Sequence, residues 1–149
     1  MRARQVVGNV GMYFAAYRLS LMGWNVMPTA RNARGVDLLA YDTNAERYLG
    51  IQIKTLSKNG AVPLGTKELD KLIGDWWIIV ANIASEIECF ILKPSEVADL
   101  AVQDRNGAKA YWLPPKKYQT EQFKEAWHRI GWGEAVTDIP PAEVENPAP

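Results

Sequence analysis

An acid and a lysine interrupt two otherwise apolar stretches, and they carry the chemistry this sequence can support. Gly35-Val36-Asp37-Leu38-Leu39-Ala40 is followed, after a short polar break, by Gly50-Ile51-Gln52-Ile53-Lys54-Thr55. Charged groups among apolar strand residues are costly to place unless they meet at a site. An Asp carboxylate and a main-chain carbonyl, for which that of Ile53 is placed, can hold Mg²⁺, which takes oxygen ligands and keeps waters. Such a metal polarises a phosphoryl oxygen and acidifies a bound water. Lys54 would orient or deprotonate that water, or neutralise the charge that builds on the phosphorane. The trio therefore points to phosphodiester hydrolysis. An Asp–Lys pair formed for structure alone is the competing reading.

The two segments must be strands for this to work. Val36 to Tyr41 and Tyr48 to Leu56 have strand composition, and Asp42-Thr43-Asn44-Ala45-Glu46 between them has turn composition, so an antiparallel hairpin is expected. Side chains alternate along a strand, which sends Gln52 and Lys54 to one face and Ile51 and Ile53 to the other. In a hairpin turning near Asn44-Ala45, facing residues have numbers summing to about 89–90. Asp37 then lies opposite Gln52 or Ile53, a diagonal step from Lys54. A slip of one residue would move Asp37 to the other face.

Elsewhere the chain alternates helix and strand signals. Val6, Val10, Tyr13/Phe14, Tyr17 and Leu21 recur at helical spacing, which predicts a helix over about 5–22 with Gly23 as its stop. Trp24 to Pro28 reads as a short strand, and Thr29 to Gly35 as a polar loop carrying Arg31 and Arg34. Ser57 to Gly65 reads as a second loop, containing Lys58, and 67–73 as a helical turn. The continuous apolar run Trp76 to Ala81 is expected to be a central buried strand, with Trp76 and Trp77 in core on opposite faces. Ile87 to Leu92 forms a further strand, in which Cys89 is a small buried hydrophobe. Ser95 would cap a helix reaching about Leu100. Residues 110–113 suit an edge strand, and Phe123, Trp127 and Ile130 predict a helix over 120–130. His128 lacks the companions a metal site needs and reads as a surface or cap residue. Trp112, Tyr118, Trp127 and Trp132 are candidates for one aromatic cluster.

Gly8-x-x-Gly11, Gly-Val-Asp-Leu-Leu-Ala at 35–40 and Ile-Gln-Ile-Lys-Thr at 51–55 resemble the PD-(D/E)xK, restriction-endonuclease-like superfamily. The resemblance covers roughly residues 6–82 and is nearest to small Holliday-junction-resolvase-like and Mrr-like domains, some of which use Gln-x-Lys. It implies an α/β (α+β) restriction-endonuclease-like core, with a mixed sheet of about five to six strands in the order αβββ(α)ββαβα. It also implies Asp37 as metal ligand, Gln52 at the second ligand position and Lys54 as catalytic lysine. Relatives with Gly-x-x-Gly-Glu carry a helix carboxylate where this chain has Met12. Gln52 and Met12 together remove two negative charges from a hard cation site.

At 149 residues one domain is expected, over 1–136, followed by a mobile, Pro-rich acidic tail over 137–149. No run approaches the roughly 18 apolar residues of a membrane span, and the single cysteine forms no internal disulfide, so a cytoplasmic location is expected. Net charge is zero but uneven. Residues 1–60 hold eight Lys/Arg against Asp37, Asp42 and Glu46, or +5, while 61–149 hold nine against fourteen acids, or −5. A basic half around the acid–lysine pair favours a polyanion. The expected function is Mg²⁺- or Mn²⁺-dependent hydrolysis of DNA, with Arg31, Arg34 and Lys58 on the backbone and a homodimer if both strands are cut. The alternative is a degenerate nuclease fold that binds protein or nucleic acid.

Overall fold

Residues 2–30, 35–66, 68–105 and 109–134 are described by the computed structural model of the chain. Arg31, Arg34 and the tail over 137–149 lie outside them. Helix α1 (Arg2–Leu21) opens the fold, and four strands follow: β1 (Asn25–Pro28), β2 (Leu38–Tyr41), β3 (Tyr48–Thr55) and β4 (Val62–Gly65). After a 3-10 turn at Leu69–Lys71 come β5 (Trp76–Ala81), β6 (Glu88–Leu92), α2 (Pro94–Leu100), β7 (Val102–Gln103), β8 (Tyr111–Leu113) and α3 (Pro115–Tyr118). A last 3-10 turn spans Trp127–Arg129.

Five strands form one mixed sheet in the order β1-β2-β3-β5-β6. β3 and β5 run parallel at its centre, and every other neighbouring pair is antiparallel. Leu38 faces Ile51 and Tyr41 faces Tyr48, so paired numbers sum to 89, as the turn composition predicts. β5 is buried along its whole length because both its faces are covered. Trp76 packs into the core beneath α1, and Trp77 into a second core built by β4, β8, α2 and α3.

Helix α1 forms where expected but buries a different face. Val6, Val10, Tyr13 and Tyr17 are exposed, while Ala15, Leu19 and Met22 are buried with Leu38, Ala40, Ile51 and Ile53. The reason is close approach. A Cβ added at Gly11 would overlap the Thr55 hydroxyl and meet Thr55 Cβ at 2.8 Å. The small face, Gly11 and Ala15, lets helix and strand touch, which outweighs the ordinary preference for burying larger side chains.

Three further expectations are corrected. Ser57 to Gly65 is not all loop: Val62 to Gly65 is β4, and it joins β8 and β7 in a second, three-stranded sheet. The strand at 111–113 is β8, the central strand of that sheet with β4 and β7 on either side, and so not an edge strand. α2 begins after Lys93 with Pro94 in its first turn, and Glu96 accepts the Lys93 amide at 2.7 Å, so Ser95 is not its cap.

Residues 120–126 make no long helix and instead cover the outer edge of β6. Ile91 donates to the Phe123 carbonyl at 2.9 Å, and Glu125 donates to that of Cys89 at 2.7 Å. Phe123 enters the core below the sheet and Trp127 the core above it, so their helical spacing marks a segment straddling a sheet edge. The aromatic cluster is divided in the same way. Trp127 and Trp132 join the first core, Tyr118 the second, and Trp112 neither. Cys89 is buried as expected, and burial, with the nearby Glu125 carboxylate, pushes its thiol well above the ordinary range.

Candidate active site

Asp37 stands just before β2, where the hairpin ladder ends. Its amide donates to the Ile51 carbonyl at 2.9 Å, although Leu38 is the register partner of Ile51. Two successive residues thus address one, the arrangement by which a bulge re-aims a side chain. The Asp37 carboxylate then takes the place of the missing strand residue. Its Oδ2 accepts the Ile53 amide at 2.7 Å. Thr29 fastens the preceding turn, its hydroxyl donating to the Val36 carbonyl at 2.6 Å and its amide to that of Asp37 at 3.0 Å.

The Ile53 amide is directed at Asp37, and an extended residue sends its carbonyl to the same side as its N–H. The Ile53 carbonyl therefore faces the gap beyond the end of β2. Lys54 follows on the opposite face of β3, with Nζ 5.5 Å from the centre of the Trp77 ring. Gln52 is half-buried and in register with Trp77. Asp37, Ile53 and Lys54 line one cleft of about 690 Å³, and Gln52 is not among its lining residues. Lys58 is exposed in the β3–β4 loop and does not line it either.

The other walls, Met12 apart, were not assigned from sequence. Arg4, Gly8, Asn9 and Met12 come from α1, and Val62, Pro63 and Trp112 from the second sheet. Arg4, Gly8 and Met12 are four residues apart, so projecting the helix back from Met12 would have found Arg4. A Cβ at Gly8 would meet nothing within 4 Å, in contrast to Gly11. Of the two glycines one closes the packing and the other keeps the cleft open.

The acids that could have joined Asp37 are committed elsewhere. Asp42 accepts the Glu46 and Arg47 amides at 2.7 and 3.1 Å; the Arg47 amide is the largest influence holding its carboxyl below the usual range, partly opposed by burial. Asp75 accepts the Gly50 amide at 2.8 Å, and Glu68 pairs with Lys71 at 3.2 Å. Glu46 and Asp70 are exposed away from the cleft. Among the described residues no three His, Cys, Asp or Glu side chains gather to hold a metal ion. His128 is exposed in the last 3-10 turn. A cation in the cleft would have the Asp37 carboxylate and the Ile53 carbonyl as donors. That set fits Mg²⁺ or Mn²⁺ held by one carboxylate and completed by waters and a phosphate oxygen.

The architecture is shared with two solved nucleases. The bacterial homing endonuclease I-Ssp6803I matches with a TM-score of 0.54 over 85% of this chain and 91% of its own, at 17% identity. Hjc, a Holliday junction resolvase from the archaeal hyperthermophile Archaeoglobus fulgidus, matches with a TM-score of 0.51 over 75% of this chain and 87% of its own, at 16% identity. No family model and no curated protein matches the sequence. The chain has a mixed α+β fold of the kind seen in these two nucleases. Among the described residues no helix is long and apolar enough to cross a membrane.

Proposed function

We propose that this domain is a divalent-metal-dependent nuclease that hydrolyses phosphodiester bonds in DNA. The observation that carries the reading is the cleft that Asp37 shares with Ile53, Lys54 and Arg4, with the Asp37 Oδ2 to Ile53 amide bond of 2.7 Å tying the acid to the strand that presents Lys54. A carboxylate has about four lone-pair sites, so accepting one N–H leaves capacity for a cation or a water. Mg²⁺ or Mn²⁺, when bound, would polarise the phosphoryl oxygen and acidify a water.

The remaining roles belong to the chain. Asp37 and the Ile53 carbonyl would hold the cation, while Gln52, the second ligand position by resemblance, stands outside the cleft lining. Lys54 balances the negative charge that grows on the phosphoryl oxygens or orients the attacking water. Arg4, with Lys54, gives the cleft a positive rim that draws in the DNA backbone. Arg31, Arg34 and Lys58 are the further cations proposed to meet the DNA backbone. Cutting both strands of a duplex would take two copies of the chain.

A second reading has its own support. Met12 lines the cleft where a carboxylate would strengthen it, and Asp37 is the one acid among the lining residues. On that reading the fold binds DNA or a protein without cutting. Titration calorimetry separates the two. Mg²⁺ or Mn²⁺ should give a saturable heat with the wild type, in the presence of a short DNA carrying a non-hydrolysable linkage, and none with Asp37→Ala. Equal heats from the two proteins would remove Asp37 from any metal site and leave the binding-module reading.

A further inference from the structure

The second sheet breaks the usual rule for a small antiparallel sheet, which is apolar inside and polar outside. Its inner row obeys: Val62 faces Leu113, and both are fully buried. Its outer row does not. Pro63, Trp112 and Val102 are successive register partners across β4, β8 and β7, and all three are exposed. Scattered exposed apolar residues need no explanation, but a row of three in register, with an indole at its centre, forms a flat apolar platform.

Two details give the platform a direction. Trp112 is 36% exposed and belongs to neither buried cluster. Its indole N–H donates to Asp104 Oδ2 at 2.9 Å, which restrains the ring and meets its polar need while the side chain stays exposed. Pro63 and Trp112 also line the cleft that holds Asp37, Lys54 and Arg4. A restrained, exposed indole beside basic side chains is the arrangement that binds unpaired nucleotides, with the cations on phosphates and the ring on the base.

We infer that Trp112 is a stacking platform for an unpaired nucleobase beside the Asp37 cleft, so that the chain selects DNA with single-stranded character over continuous duplex. The inference rests on the nuclease reading and adds the substrate class to it. Bases inside a duplex already stack on each other and cannot offer a face to Trp112. A single strand, flap or junction arm can.

The test compares affinities for a labelled oligothymidylate and for a fully paired duplex by fluorescence anisotropy. It is done in Asp37→Asn protein, which keeps the side-chain shape and does not cut. Adding Trp112→Ala should weaken single-strand binding on the order of tenfold or more, and Trp112→Leu should do the same because it keeps apolar bulk without a π face. Trp112→Phe should stay within about threefold, and duplex binding within about twofold for all three. The duplex measurement also reports that each variant is folded. Single-strand affinity unchanged in Trp112→Ala and Trp112→Leu, with DNA still bound, would overturn the stacking role and leave the nuclease reading standing. Equal losses on single strand and duplex would overturn it too. Failure of the Asp37→Asn protein to bind either DNA would overturn both.

Discussion

The two sides of the main sheet use the same device for different ends. Near one side Asp37 accepts the Ile53 amide at 2.7 Å; near the other Glu125 accepts the Cys89 amide at 2.6 Å. Each carboxylate satisfies a strand amide that has lost its ladder partner. Glu125 is then fully engaged. Trp127 donates its indole N–H to it at 3.0 Å, and Arg18 approaches at 3.6 Å while stacking over the Trp127 ring. Asp37 instead borders a cleft shared with Lys54, Arg4 and Trp112. An acid bound to a strand amide is therefore not in itself a sign of catalysis. Open space alone does not separate the two, since Glu125 also borders a cleft, of about 610 Å³; that cleft holds Glu86 and Glu88 as well, whereas Asp37 shares its own with Lys54 and Arg4, groups suited to a phosphate.

That contrast is open to several attacks, of declining size. Lys54→Ala should lower DNA cleavage by about a hundredfold or more in protein that remains folded. Cleavage at the wild-type rate would take Lys54 out of the chemistry. Glu125→Ala should do the reverse, costing about 2–3 kcal/mol in urea unfolding by stranding the Cys89 amide and the Trp127 indole. The folded fraction should cut DNA normally. A neutral result would mean that Glu125 does not close its edge.

Gly11→Ala drives a methyl group into Thr55, and about 1–3 kcal/mol of destabilisation is expected from such overpacking. The matching Gly8→Ala has room and should gain slightly in helix propensity. Equal melting temperatures for the two variants would contradict the helix placement.

The smallest effect is one of pH. Burial alone would raise the Glu96 carboxyl, but the Arg129 guanidinium and the Lys93 amide outweigh it and hold it below its usual value. A depressed folded value stabilises above the ordinary Glu pKa of about 4.3, and that contribution fades as pH falls through the folded value. Arg129 also donates to the Ile91 carbonyl at 2.8 Å, so acid should loosen the closed edge. Glu96→Gln should flatten the decline in melting temperature below about pH 4. An unchanged profile would show that the pair does not report on that edge.

The hairpin was legible in the sequence because the turn at Asp42 to Glu46 fixes register, and register fixes where Asp37 stands against β3. The central strand was legible because Trp76 to Ala81 is apolar on both faces. The closed edge was not. Phe123 and Trp127 are four apart and imitate a helix, yet they reach cores on opposite sides of the sheet. The exposed stripe of α1 misleads for a similar reason, since Gly11 and Ala15 decide its packing by being small. Arg4 lies within reach of helical spacing from Met12, but Trp112 joined the cleft only through tertiary contact, arriving on a three-residue strand whose partner β4 carries a proline. Spacing along the chain does not encode such a meeting.

The most direct trial of the account is cleavage of single-stranded and branched DNA, with Mg²⁺ or Mn²⁺, by wild type and Asp37→Ala alongside their urea midpoints. The account predicts metal-dependent cleavage by the wild type, its loss in Asp37→Ala, and midpoints that agree within the equivalent of about 1 kcal/mol. Wild-type cleavage by Asp37→Ala, or a loss of stability as large as that expected of Glu125→Ala, would place Asp37 with the structural acids and contradict it.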